Sequence, residues 1–309
     1  MITTICMNPS FDRTVEVDSL RPGHVNRILT SRTDVGGKGV NVAVVARRLQ
    51  LDNTMVMGIA GEDGVERIRA AMDAEGVAHG FLPVEGSVRV NTKVVSLDGS
   101  GVTELNEPGP VVDAGTLAEF FSMVRKMAAY SECVVITGSL PPGCPPGTYR
   151  ELIRSLGGVR CILDVGGNEL TLGVEAKPFL IKPNHHELAA ALRTELHTME
   201  DIRRGAESFV RAGVEHVVVS MGKDGAMYVG SEGAFYAPEV PVEVRSTVGA
   251  GDALVGGILY GLTKYGTMRE AFRCGAAAGT ASVMTEGTQL IEPENFMRLL
   301  GQVHVQELK

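Results

Sequence analysis

Short β-branched runs alternate with longer amphipathic stretches along most of this chain, and that alternation limits its fold more than any other feature. Residues 2–6, 54–59, 133–137, 160–165, 179–182 and 216–220 read as strands. Residues 40–50, 64–75, 112–129, 146–156, a segment from His185, and 199–212 read as helices. Repeated βαβ order predicts a parallel sheet covered by helices. Three helices rich in small or apolar residues, 250–265, 268–285 and 293–303, close the chain. Residues 88–97 and 101–105 break the order with a predicted hairpin turned by Asp98-Gly99-Ser100-Gly101. A second hairpin is predicted for 226–229 and 233–237. We expect an α/β fold in one domain, residues 1–309, carrying a discontinuous β lid from about 10–35 and 82–107.

Composition narrows the partners. With 44% apolar residues in 309, the chain can bury a large core. Its formal charge is -8 and no five like charges run together, so it lacks the basic stripe that nucleic acid and anionic membranes require. No segment offers the roughly 18 apolar residues of a membrane span. The opening Met1-Ile2-Thr3-Thr4-Ile5-Cys6 has no cationic stretch before a long apolar one, and we expect no signal peptide. Five cysteines show neither paired nor metal-ligand spacing, which predicts a reduced cytoplasm.

Five motifs carry chemistry. Thr247-Val248-Gly249-Ala250-Gly251-Asp252 opens a long helix, where backbone N–H groups and the helix dipole favour an anion. Asp252, in the first turn, is suited to accept a hydroxyl proton during phosphoryl transfer; a plain capping Asp is the simpler reading of these residues alone. Gly36-Gly37-Lys38-Gly39-Val40-Asn41 offers a cation and an amide at another helix start, with neither Walker A nor dinucleotide spacing. Arg89, Asn91 and Lys93 share one face of the predicted hairpin. In Lys182-Pro183-Asn184-His185-His186-Glu187, Asn184 and Glu187 suit Mg²⁺ held partly through water, or equally a capping box. Ser220-Met221-Gly222-Lys223-Asp224-Gly225 fits a nucleotide's phosphates or ribose, or a hairpin turn.

Taken in this order, the motifs resemble the PfkB (ribokinase-like) carbohydrate kinases over essentially the whole chain. Gly36–Asn41 resembles that family's first signature, 246–254 its second, and 182–187 its Asn-x-x-Glu motif. The resemblance implies a three-layer α/β/α sandwich with a mostly parallel central sheet and a small β-sheet lid. It implies Asp252 as general base and Gly249, Ala250 and Gly251 as anion hole. Asp12, Gly37, Lys38, Asn41, Arg89 and Asn106 would contact a sugar phosphate. Asn184, Ser220, Gly222, Gly225 and Thr247 would lie along ATP, with Mg²⁺ near Asn184 and Glu187. A cytoplasmic homodimer formed through the lid is expected.

Asn8-Pro9 with Asp12, Asn106-Glu107-Pro108-Gly109-Pro110, and Gly138-Ser139-Leu140-Pro141-Pro142-Gly143 are similar to the branch acting on ketohexose phosphates. That implies fructose 1-phosphate as acceptor, with tagatose 6-phosphate as the alternative. Two readings compete from other classes. A nicotinamide-dependent oxidoreductase would need a Gly-x-Gly-x-x-Gly turn after the first strand, where Pro9-Ser10-Phe11-Asp12 stands. A catalytically silent sugar-phosphate sensor would be expected to lack the base, and Asp252 is present.

Overall fold

The apolar runs form strands buried on both faces. In the strand Cys133–Thr137, Val134 and Ile136 enter one core and Val135 enters another. Such strands read as unbroken apolar runs because neither face meets water. The structure, a computed structural model, describes residues 1–287 and 289–308.

In chain order the strands are β1 (Ile2–Cys6), β2 (Ser10–Val17), β3 (Thr30–Gly36), β4 (Thr54–Asp63), β5 (Ala78–Ser87), β6 (Arg89–Ser96) and β7 (Gly101–Asn106). They continue with β8 (Cys133–Thr137), β9 (Arg160–Asp164), β10 (Leu180–Ile181), β11 (His216–Ser220), β12 (Ala226–Gly230), β13 (Gly233–Ala237) and β14 (Gln306–Glu307). Among the described residues, ten of them make one sheet in the order β14-β13-β12-β11-β10-β9-β8-β1-β4-β5. From β11 to β5 every pairing is parallel, and β12 to β14 add an antiparallel edge.

Helices cover both faces. Lys38–Arg48, Val65–Ala74, Ala250–Tyr265, Met268–Ser282 and Pro293–Leu300 supply one core. Ala114–Ala128, Thr148–Ser155, His185–Leu192 and Met199–Arg211 supply the other. The result is the expected three-layer sandwich with a mostly parallel sheet. Helix Ala250–Tyr265 is wedged tightly among its neighbours. A Cβ at Gly256 would strike Val45 of helix Lys38–Arg48, and one at Gly257 would strike Cys274 and Ala278 of helix Met268–Ser282. Two helix N-termini are thereby held side by side at one end of the sheet.

A separate four-stranded sheet, β3-β2-β6-β7, stands beside that end. Its bounds correct one expectation. Residues 82–87 belong to β5, which pairs in parallel with β4 in the large sheet, so the small sheet draws only on 89–106 from that region. The alternation was obscured there because β5 is an edge strand. It tolerates Pro83 and leaves Glu85, Gly86 and Ser87 exposed. The short helix Gly167–Gly173, with glycine at both ends, gave no periodic signal and was also missed. Helix Lys38–Arg48 starts two residues before the expected position, directly after Gly37.

Candidate active site

The strands β1, β8, β9, β10 and β11 end at the same edge of the large sheet, where α/β folds place their ligands. Against that edge lies a cavity of about 350 Å³. Ser10 and Asp12 reach it from β2, Arg89 and Asn91 from β6, and Gly37, Lys38 and Asn41 from the start of helix Lys38–Arg48. Lys182, Asn184, Glu187 and Ser220 enter from the ends of β10 and β11, and Val248, Gly249, Gly251 and Asp252 from the opposite helix start.

Asp252 sits in the first turn of helix Ala250–Tyr265. The turn before it needs Gly249, whose φ of 78° is left-handed. Asp252 is only 5% exposed, and its Oδ2 accepts from Asn41 Nδ2 at 2.8 Å. Burial, helped by the nearby Asp164, raises its pKa to about 6, while Lys38, Asn41 and Lys182 hold it from going higher. A carboxylate so tuned is a stronger base than an ordinary aspartate and is still mostly ionised near neutrality.

Charge around this base is closely balanced. Lys182 Nζ lies 3.0 Å from Asp164 Oδ1, both side chains being almost fully buried. The contact is an ion pair without hydrogen-bond alignment at Oδ1. Asp164 also receives Thr137 Oγ1 at 2.8 Å on its carbonyl and at 3.3 Å on Oδ2. Burial pushes the Asp164 carboxyl upward, but Lys182 and Lys38 outweigh it and the pKa falls. Lys38 is correspondingly raised, chiefly by Asp164 against the opposing effect of burial, with Asp252 and Glu187 adding. Two ammonium groups thus face the glycines of the helix start, where an anion would sit.

On the small-sheet side, Asp12 Oδ1 accepts from Ser10 Oγ at 2.9 Å and from Asn91 Nδ2 at 3.0 Å. Arg89 donates from Nε to the carbonyl of Asn8 at 3.1 Å. Its terminal nitrogens have no partner among the described residues. Burial lowers the Arg89 pKa, and it remains a cation. Lys93 points toward Glu104, 4.0 Å away, and does not line the cavity.

A second cavity, of about 480 Å³, adjoins the first through Asn184, Ser220 and Gly251. Gly222, Gly225, Thr247 and Ala250 line it together with His185, His186 and Lys223. Its far wall is apolar, made by Val242, Val244, Leu254, Ala276 and Val283 among others. A planar base fits such a wall, with phosphates toward the cations and glycines.

The capping box between Asn184 and Glu187 is present: Glu187 Oε2 accepts from Asn184 N, and Asn184 Oδ1 from Glu187 N, both at 2.8 Å. This leaves Glu187 Oε1, on the first cavity, and the Asn184 amide nitrogen, at the junction of the two, free of that box. Among the described residues no group of three or more His, Cys, Asp or Glu is disposed to hold a metal. One carboxylate oxygen at a phosphate site fits a Mg²⁺ that keeps its waters and relies on the nucleotide for other ligands.

The structure therefore brings together the residues singled out for the site except Lys93, which turns to Glu104, and Asn106, which lies on the exposed strand β7 opposite Asn91; neither lines either cavity. Sequence reasoning missed Asp164 and gave no role in the site to Ser10 or to Lys182, although Lys182 opens one of the motifs. A lone acidic residue ending an apolar strand was the available signal for Asp164, and Lys182 ends the next strand in the same way. The nicotinamide alternative also falls on geometry, because β1 leads into strand β2 and not into a helix through a glycine turn.

Comparison with known proteins finds relatives along nearly the whole chain. The model of the pfkB family of carbohydrate kinases matches residues 5–295. The 1-phosphofructokinase of Bacillus subtilis is 33% identical over 310 residues, covering all of both chains. That of Escherichia coli K12 is 31% identical, covering 99% of this chain and 98% of its own. The solved tetrameric inhibited form of Escherichia coli phosphofructokinase-2 superposes with a TM-score of 0.90 at 28% identity, over 97% of this chain and 98% of that one.

Proposed function

The chain belongs to the pfkB family of carbohydrate kinases, with their ribokinase-like fold, and from that premise we propose that it uses ATP to phosphorylate fructose 1-phosphate at the 6-hydroxyl. The products are fructose 1,6-bisphosphate and ADP. One observation carries the reading. A buried carboxylate with a raised pKa stands at a glycine-rich helix start, between a cavity suited to a nucleotide and a cradle of Arg89, Asn91, Asp12 and Lys38.

The acceptor's 6-hydroxyl lies at Asp252 Oδ1, while Asn41 holds Oδ2 and fixes the carboxylate plane. Asp252 takes the hydroxyl proton as the oxygen attacks the γ-phosphorus. The amides of Gly249, Ala250 and Gly251, with Lys38 and Lys182, neutralise the transferring group. Asp12, fixed by Ser10 and Asn91, orients the ring hydroxyls, with Asn106 closing over them from β7. Gly37 lets the sugar approach the helix start beside it. Asn184, Ser220, Gly222, Gly225 and Thr247 line the path of ATP. Glu187 and Asn184 would hold Mg²⁺ through water, and the ion would supply charge neutralisation on the phosphates. The small sheet acts as a lid that excludes water, which otherwise invites ATP hydrolysis.

The names of both curated relatives favour fructose 1-phosphate over tagatose 6-phosphate. An intact base argues against the silent sensor. The small sheet exposes Val102 and Leu105, and Ile28 and Leu29 lie exposed in the segment joining β2 to β3. We assign this apolar surface to a second copy in a homodimer; the solved Escherichia coli phosphofructokinase-2 structure is a tetramer, so that relative self-associates in a larger form. A cytoplasmic location fits the five free cysteines and the use of ATP. Among the described residues no helix is long and apolar enough to cross a membrane.

Arg89→Ala tests the acceptor side of this reading. A guanidinium on the acceptor phosphate contributes mainly to ground-state binding, so KM for fructose 1-phosphate should rise by about 10–100-fold while KM for ATP stays within about twofold. Steady-state kinetics with each substrate varied would show it. A rise in the ATP constant instead would move Arg89 out of the acceptor site.

A further inference from the structure

Asn8 follows β1 and is only 4% exposed. Its Nδ2 donates to the carbonyl of Pro108 at 3.0 Å and, at the limit of reach, to that of Leu140 at 3.5 Å. Its own main-chain carbonyl is the acceptor for Arg89 Nε. Glu107 completes the ring. Its Oε2 accepts from Val90 N at 2.8 Å, and its N–H donates to Val90 O at 3.4 Å. Gly109, with φ of 91°, lies so close to the Asn8 amide that a Cβ there would overlap Oδ1. Asn8 Oδ1 itself is buried without a hydrogen-bond partner. An unpaired buried acceptor destabilises a fold, so this amide is a poor choice on stability grounds alone.

What the ring encloses gives the amide a purpose. Arg89 is the one described residue that borders both the catalytic cavity and a larger one of about 900 Å³. Glu62, Glu85, Glu107 and Asp113 line the larger cavity. A guanidinium at that boundary can turn toward the acceptor or toward the carboxylates behind it. The turn carrying Glu107 and Gly109 lines the larger cavity, and Asn8 ties it to the core on one side while holding Arg89 on the other.

We propose that Asn8 is a positioning residue: its amide clamps the Glu107–Pro110 turn so that Arg89 stays directed at the acceptor phosphate. The inference rests on the reading of Arg89 given above. Loosening the clamp lets Arg89 populate orientations toward the acidic cavity, and the competent fraction falls.

The experiment is a kinetic double-mutant cycle on the full-length enzyme, with Asn8→Ala, Arg89→Ala and the pair. Asn8→Ala is expected to raise KM for fructose 1-phosphate about tenfold, with kcat and the ATP constant within about twofold. In the Arg89→Ala background the same substitution should add less than twofold, because its target is gone. Gly109→Ala, on a half-buried turn away from the core, should reproduce the Asn8→Ala effect from the other side of the contact. A general structural defect would instead lower kcat and shift both substrate constants together, and that overturns the proposal. So do multiplying effects of Asn8→Ala and Arg89→Ala, or a silent Asn8→Ala in an enzyme where Arg89→Ala is impaired. An unchanged acceptor constant in Arg89→Ala would sink the Arg89 assignment, and this inference with it.

Discussion

Asp252→Asn is expected to lower turnover by roughly 10²–10⁴-fold, the usual contribution of a positioned base, while both substrates still bind. The substitution keeps the side chain's size but leaves no carboxylate oxygen to take the proton. Its partner Asn41 can still pair with the Asn oxygen, so the site should keep its shape. The same carboxylate sets the acid limb of kcat/KM, which should fall below an apparent pKa near 6 in the native enzyme. Stability should move the other way from activity. A folded-state pKa raised above 3.8 means that the folded protein holds this proton more tightly than the unfolded one. Stability is therefore lost as pH rises toward about 6, and the loss persists above it. Asp252→Asn, neutral throughout, should be at least as stable as the native enzyme at pH 8. A variant with near-normal turnover would remove Asp252 from the mechanism, and a strongly destabilised one would contradict its described electrostatics.

Asp164→Asn should be the most destabilising single change near the site, by about 3–5 kcal/mol in urea denaturation, the cost of leaving a buried charge without its partner. Asp164 is the carboxylate that Lys182 and Lys38 both answer. Its removal leaves the buried Lys182 ammonium without its partner and strips Lys38 of its main stabilising charge. Lys182→Met is the gentler lesion, since Asp164 keeps Lys38 and the methionine stem fills the space. A greater loss from Lys182→Met than from Asp164→Asn would refute this ordering. Because the Asp164 pKa is depressed, its contribution is present above the ordinary aspartate value and is lost as pH falls below it. Acid unfolding should therefore be less steep in Asp164→Asn.

Most of the architecture was legible because strands buried on both faces and helices amphipathic against them leave an unmistakable period. The edge strand β5 was not legible, since Pro83 and Gly86 interrupt a run that only needs one neighbour. The helix-start motifs were visible for a local reason: glycine stands within a few residues of a cation and an amide in Gly37 to Asn41, and of a carboxylate in Gly249 to Asp252. The Lys182–Asp164 pair was hidden because it joins two strand ends that meet only in the folded sheet. The contacts of Asn8 were hidden for the same reason, its partners lying 100 and 132 residues away. The strand period correctly set Lys93 on the face of Arg89 and Asn91, but β6 carries it beyond the cavity to Glu104.

ADP release with Mg-ATP, measured against fructose 1-phosphate, fructose 6-phosphate, tagatose 6-phosphate and free fructose, tests the central claim most directly. The account predicts the highest kcat/KM for fructose 1-phosphate, by at least about tenfold over each of the others, with fructose 1,6-bisphosphate as product. A preference for tagatose 6-phosphate, fructose 6-phosphate or free fructose, or no turnover of any of the four, would contradict it.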